Sequence, residues 1–227
     1  MKNIQFDFLV WLLLLCSSLA QSGQPNIDAI ASLPIKEIKA VETNGEIFFM
    51  SNNGRYVFRG QLTDTWHKRS LDTMQEIEYA SNHIDLDLMG LPLDKLNTIT
   101  IGGGSQRVVA FVDPKCSFCK TLIKEALNNT DKYTFKLVVI PALGEDSNDM
   151  SKALFCSSDN SNAVEIFLAG GLKSLPQKDT CDTKNYDLTL TVAQLIGIDH
   201  VPFILSPDGR YRSGTGEGFW KWIEKKS

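Results

Sequence analysis

The sequence predicts an α+β chain in two folded parts: a small antiparallel β domain, then an α/β domain built on a βαβ unit and interrupted by a helical insertion. Three observations predict it. Asn44-Gly45 and Asn53-Gly54 punctuate a series of short strand-like runs, and Asn-Gly is the dipeptide a two-residue hairpin turn favours. An apolar run, Val108 to Val112, stops at Asp113-Pro114; at Cys116 an apolar pattern of helical period begins, through Phe118, Leu122, Ile123, Ala126 and Leu127. A further apolar run, Phe135 to Ile140, completes strand, helix, strand.

Taken in order, the first twenty residues read as a signal peptide. Phe8 to Leu15 is an apolar core too short to span a bilayer comfortably, and Ser18-Leu19-Ala20 offers small residues for cleavage after Ala20. An uncleaved anchor and a lipid-modified Cys16 are the alternatives. Ile27 to Leu33 reads as a short helix ended by Pro34. Strands follow at Ile35–Val41, Glu46–Ser51 and Arg55–Arg59, with Gln61–Trp66 as a further one. This N-terminal domain, residues 21–67, is too small to bury much apolar area alone, and an exposed strand edge makes a second copy its natural partner. A helix over Ser70–Ile84, with Ser70 as its cap and Leu71, Met74, Ile77, Ser81 and Ile84 on one face, falls in a linker region spanning 68–97.

The second domain, residues 98–227, opens with a strand at Thr98–Ile101. After the βαβ unit, Glu145 to Lys178 breaks the alternation as an insertion with helices at Met150–Phe155 and Ala163–Leu168, stopped by Gly170-Gly171. A helix over Asp187–Ile196 closes at Gly197. A hairpin of Phe203–Leu205 and Arg210–Arg212 and a helix over Phe219–Lys225 end the chain. The composition, 43% hydrophobic and 22% charged, is that of a globular protein, and the net charge of −4 leaves no basic footprint for nucleic acid. Gly214 to Gly218 lacks the Gly-Lys-Ser/Thr of a phosphate loop and reads as a turn into the last helix. His67 and His83 read as surface residues and His200 as a loop histidine in solvent.

The chemistry centres on Cys116 and Cys119. Strand, turn and C-x-x-C on the first turn of a helix is a thiol–disulfide arrangement. Free N–H groups and the dipole at the helix start favour an anion, and Lys115 and Lys120 add positive charge, so Cys116, the more exposed sulfur, is the predicted nucleophile and Cys119 the resolving thiol. Ser117 and Phe118 between them tune the potential and shape the substrate face. Of the five cysteines, Cys16 leaves with the leader, and the even number remaining in an exported chain reads as disulfides. Cys116–Cys119 is the labile pair. A structural bridge between Cys156 and Cys181 would contribute roughly 3–3.5 kcal/mol by chain entropy. The competing reading is a structural zinc site made from all four. No cofactor or metal is expected.

The residues VVAFVDPKCSFC, GLPLDKL upstream, Phe155-Cys156, Thr180-Cys181-Asp182 and Leu195-Ile-Gly-Ile-Asp-His-Val-Pro202 resemble the bacterial periplasmic disulfide isomerases of the DsbC/DsbG type over nearly all of the mature length, and relatives that serve conjugative transfer systems. The resemblance implies a C-terminal thioredoxin-like domain, N-terminal domains that hold a V-shaped homodimer, a linker helix, and a periplasmic location. It implies a cis-proline at Pro202 beside the reactive sulfur, with the Val201 backbone free to pair with an extended client peptide. Disulfide-containing exported proteins are then the clients, and a membrane thiol reductase of the DsbD type keeps Cys116 and Cys119 reduced. Two positions depart from the pattern. DsbC carries Gly-Tyr where this chain has Ser117-Phe118, and the residue before the cis-proline is usually Thr, whereas Val201 is similar to the oxidase DsbA. A net oxidase, and a holdase with incidental thiols, stand beside isomerisation as alternatives.

Overall fold

The computed structural model describes residues 27–33 and 37–225. The predicted leader and its cleavage position lie outside the described residues. The described chain divides into two units, one ending at Gly60 and the other beginning at Gln61.

The first unit is a four-stranded antiparallel sheet in simple order: β1 (Ala29–Ser32), β2 (Ile38–Thr43), β3 (Glu46–Ser51) and β4 (Val57–Phe58). Asn44-Gly45 turns the β2–β3 hairpin. Thr43 faces Glu46, and φ is +51° at Asn44 and +76° at Gly45, the double positive φ of a type I′ turn. At the next turn the Asn53 side chain accepts from the Ser51 hydroxyl and the Arg55 N–H. Among the described residues of this unit only Ala31, Ala40, Val41 and Phe49 are buried, while Ile30 on β1 and Val57 and Phe58 on β4 are more than half exposed. The helix expected over Ile27–Leu33 is the strand β1 instead. Its residues pair with Lys39 to Glu42, and a run this short carries no period that separates helix from strand.

The second unit begins with a two-stranded ribbon, β5 (Leu62–Asp64) and β6 (Arg69–Leu71). The strand expected at Gln61–Trp66 therefore exists but pairs with β6, not with the first sheet. Ser70 lies inside β6, so the helix α1 (Met74–Asn82) starts later than expected. Thr73 caps it: its hydroxyl accepts from Glu76 N–H, and Glu76 reaches back to the Thr73 N–H, closing a capping box. Ile84 lies beyond the helix and donates its N–H to the Gly209 carbonyl.

The rest is a five-stranded mixed sheet flanked by helices. In chain order it contains β7 (Thr98–Ile101), β8 (Gln106–Val112), α2 (Ser117–Leu127), β9 (Tyr133–Val139), α3 (Glu145–Phe155), α4 (Ala163–Ala169), α5 (Lys184–Ile196), β10 (Phe203–Leu205), β11 (Tyr211–Ser213) and α6 (Phe219–Glu224). The spatial order is β11-β10-β8-β9-β7, with only β8 and β9 parallel, joined through α2. This is the thioredoxin-like α+β arrangement the resemblance implies, with α3 and α4 as the helical insertion. Gly104 lets the loop before β8 pass against β9, since a Cβ there would lie 2.1 Å from the Lys132 carbonyl carbon.

Alternation along β8 builds two cores. Val108, Ala110 and Val112 face Leu122 and Ile123 of α2, Phe167 of α4 and Phe219 of α6. Val109 and Phe111 face Val192 of α5 and Leu86 and Leu93 of the preceding loop. Among the described residues no helix is long and apolar enough to cross a membrane.

Candidate active site

The site forms where β8 ends and β10 begins. These strands run antiparallel with Phe203 opposite Phe111, so the residues just after β8 meet the residues just before β10 although about ninety positions separate them in sequence. Asp113-Pro114-Lys115 leads from β8 to Cys116, which is the N-cap of α2. Its sulfur accepts a hydrogen bond from the Cys119 N–H at 3.2 Å and donates to the Val201 carbonyl at 3.5 Å. The Val201–Pro202 peptide is cis, and the Pro202 carbonyl is held by the Gly214 N–H at 2.8 Å.

Both site cysteines are free thiols. Cys119 is fully buried; Cys116 is 6% exposed, more than Cys119 but far from open. Burial pushes the Cys119 thiol up from the ordinary range, and its hydrogen bond with Cys116 and the charge of Asp113 act in the same direction. Ser117 and Phe118 face solvent at the rim, Phe118 being 69% exposed.

In the sequence Asp113 reads only as a strand breaker. It is a completely buried acid whose side chain organises the cysteine turn. One oxygen accepts from the Lys115 N–H at 2.7 Å and the Ser147 hydroxyl at 2.9 Å, and the other from the Leu143 N–H at 2.8 Å. Its own carbonyl takes the Cys116 N–H. A single side chain thus ties the cysteine turn to the loop after β9 and to α3. The signal was present in the sequence as an acid next to the cysteines, but its partners lie thirty residues on.

The charge expected from Lys115 is matched. Its Nζ pairs with Asp146 at 2.9 Å, and Asp146 also takes Lys173, which continues to Asp149. Hydrogen bonding to Lys173 and then Lys115 holds the Asp146 carboxyl down at about 2. His200 is exposed and bonds Asp199.

Cys156 and Cys181 are bonded to each other, Cα atoms 5.5 Å apart. Cys156 caps the C-terminus of α3, and Lys178 donates to its carbonyl. That bond takes two of the four sulfurs a four-cysteine metal site would need. His67 and His83, read as surface residues, are covered: the His67 ring pairs with Asp64 in the β5–β6 turn, and His83 is 8% exposed, stacked on Tyr79.

Residues 17–73 match the family described as the disulfide bond isomerase protein N-terminal domain. The chain is 23% identical over 198 residues to the thiol:disulfide interchange protein DsbC of Escherichia coli K12, covering 85% of this chain and 78% of that protein. The chain is similar to thiol:disulfide interchange proteins of the DsbC type. Two further relatives carry the name probable thiol:disulfide interchange protein DsbC. One, from Bordetella avium, is 26% identical over 136 residues, 60% of this chain and 47% of the relative. The other, from Bordetella pertussis, is 25% identical over 177 residues, 77% and 60%. The chain therefore spans about half to three-fifths of the length of these two DsbC relatives. A disulfide interchange protein of known structure from Neisseria gonorrhoeae is 24% identical, covering 59% of this chain and 96% of that one with a TM-score of 0.46.

Proposed function

We propose that this protein is an exported, periplasmic thiol:disulfide interchange enzyme that acts mainly by isomerising wrong disulfides in other exported proteins. The observation that carries the reading is the position of Cys116. Its sulfur caps a helix, holds a backbone N–H at 3.2 Å and lies against the carbonyl that precedes the cis-proline. A helix start is where an anion is favoured, and the sulfur is the first site atom a client disulfide meets because Cys119 lies wholly behind it.

The reaction is sulfur exchange. The Cys116 thiolate attacks one sulfur of a client disulfide; a bond forms between them, and the other client sulfur leaves as a thiolate. In isomerisation, a second client thiolate attacks the mixed disulfide and releases Cys116, so no electrons are gained or lost overall. In the alternative exit, Cys119 loses its proton and attacks Cys116. The client departs reduced and the enzyme holds a Cys116–Cys119 disulfide, to be re-reduced by a membrane thiol reductase of the DsbD type. Ser117 and Phe118 present the rim to the client, and the Val201 backbone offers strand-like pairing to an extended peptide. The Cys156–Cys181 bond serves as a structural clamp. The chemistry needs no cofactor.

The N-terminal domain, residues 21–67, would hold a homodimer. Both edge strands of its sheet carry exposed apolar side chains, Ile30 on one and Val57 and Phe58 on the other, as expected of a surface that a second copy covers. Sedimentation of the mature chain should give a dimer mass, and a monomer at micromolar concentration removes this part. Residues 68–97 link it to the catalytic domain, 98–227, and client binding by the paired domains adds chaperone activity.

Reactivation of a scrambled multi-disulfide protein tests the reading. Cys116→Ala should lower the rate by at least about a thousandfold, the scale of losing a nucleophile. Full activity in that variant would instead favour a holdase. Val201 favours one second reading, a net oxidase, and that reading gains if Cys116 and Cys119 are found oxidised at steady state.

A further inference from the structure

Away from the cysteines, the second unit holds a half-open cavity of about 370 Å³, within the range of small-ligand sites. Its walls come from the β5–β6 ribbon, the end of α1, the loop that follows, the start of β8 and the turn after β10. None of these segments takes part in the exchange reaction.

The charges around it do not balance locally. Asp85 accepts from the backbone N–H groups of Asp87 and Leu88, both at 3.0 Å. Asp87 pairs with Arg107 at 2.6 Å, and Asp208 takes Arg210 at 2.8 Å and the Ser206 hydroxyl at 2.6 Å. His67 is engaged by Asp64. Arg69 stands apart. Its guanidinium lies over Tyr79, 5.4 Å from the ring centroid, and its Nε and Nη2 are buried without a hydrogen-bond partner. Glu76 acts on it only through space, since its Oε2 holds the N–H groups of Asp72 and Thr73.

The identity of the two orphan donors matters. Nε–H and Nη2–H share one edge of the planar guanidinium, and that edge matches the two oxygens of a carboxylate. A second unpaired group lines the same cavity. The His83 Nδ1 lies 2.9 Å from the Tyr79 carbonyl, which can only accept, so Nδ1 carries the proton and the buried Nε2 is left without a partner. Each buried polar group left unpaired costs about 1–3 kcal/mol. A bound carboxylate offsets that cost at the two Arg69 donors, whereas His83 Nε2, an acceptor in this tautomer, needs a ligand N–H or O–H.

We propose that this cavity is a binding site for a small carboxylate, seated on the Nε/Nη2 edge of Arg69, with the acceptor Nε2 of His83 left for an N–H or O–H elsewhere on the ligand. Nε and Nη2 carry almost no accessible surface, so this binding requires the Arg69 guanidinium to turn from Tyr79 into the cavity. A free organic acid and the last residue of a peptide present the same group.

The test follows the Arg69 Nε–H resonance of the mature, full chain during titration. The probes are acetate, N-acetylglycylglycine, its uncharged amide, and inorganic phosphate. Saturable movement with a carboxylate, at about 1–10 mM, and none with the amide is the expected result. Arg69→Gln should weaken that binding at least tenfold. The acylated dipeptide binding tenfold tighter than acetate assigns a peptide end; equal affinities assign a free acid. The proposal is overturned by no saturable movement with either carboxylate, by equal movement with the amide, or by a response to phosphate alone. The acid-against-amide comparison needs only the unaltered protein, so it stands even where Arg69→Gln fails to fold.

Discussion

Cys116 and Cys119 are three residues apart and remain thiols; Cys156 and Cys181 are twenty-five apart and are joined. The bonded pair sits where the backbone already aligns its two segments. Ser157 bridges Gln177, the Ser158 N–H reaches the Pro176 carbonyl, and the Lys178 N–H reaches Cys156. The bond therefore closes a register that hydrogen bonds also fix. The free pair has no such ladder. One of its sulfurs is a helix cap with an amide donor and a carbonyl neighbour, and the other is sealed in the core. What a cysteine is for follows here from what its sulfur touches, not from its spacing.

Removing the clamp should have the largest effect on stability and none on chemistry. Cys156→Ala with Cys181→Ala should cost roughly 3 kcal/mol. In a thermal melt that is a fall of about 6–12 °C for a protein of this size. Exchange activity per folded molecule at room temperature should not change, and lost activity with unchanged stability would erase the distinction between the pairs.

Asp113→Asn should sit in the middle. The amide nitrogen would face a donor that the carboxylate now satisfies, at a cost of about 1–3 kcal/mol in urea unfolding. Because the same side chain holds the Lys115 N–H beside Cys116, the midpoint potential of the Cys116/Cys119 pair should move while the Cys156–Cys181 bond stays intact. An unmoved potential would make Asp113 a structural residue only.

Asp146→Asn should have the smallest effect, visible in acid. Its carboxyl is held at about 2 when folded, so the unfolded chain takes up the proton first as pH falls. The stabilisation is complete above the ordinary carboxylate range and is lost from about pH 4 down through pH 2. The melting temperature of the unaltered protein should fall more steeply over that window than that of the variant, and parallel curves would remove Lys115–Asp146 as a support of the redox turn.

The sequence by itself determined the pieces with strong local causes. Asn44-Gly45 makes its turn because both residues tolerate positive φ, β8 and α2 follow from their apolar periods, and Cys116 starts a helix because Asp113-Pro114 ends the strand before it. Where local causes compete, sequence was a poor guide. Ile27–Leu33 became a strand because β2 offered an edge, and Ser70 lost the cap to Thr73 because β5 claimed it for pairing. Only the tertiary structure decided the partners of buried polar groups. Asp113 bonds Leu143 and Ser147, Cys116 reaches Val201, and Arg69 and His83 line one cavity with their edges unpaired. The reason is physical. A turn or a helix start draws its energy from neighbours along the chain, whereas a buried charge or sulfur takes its character from atoms that folding brings to it across many tens of residues.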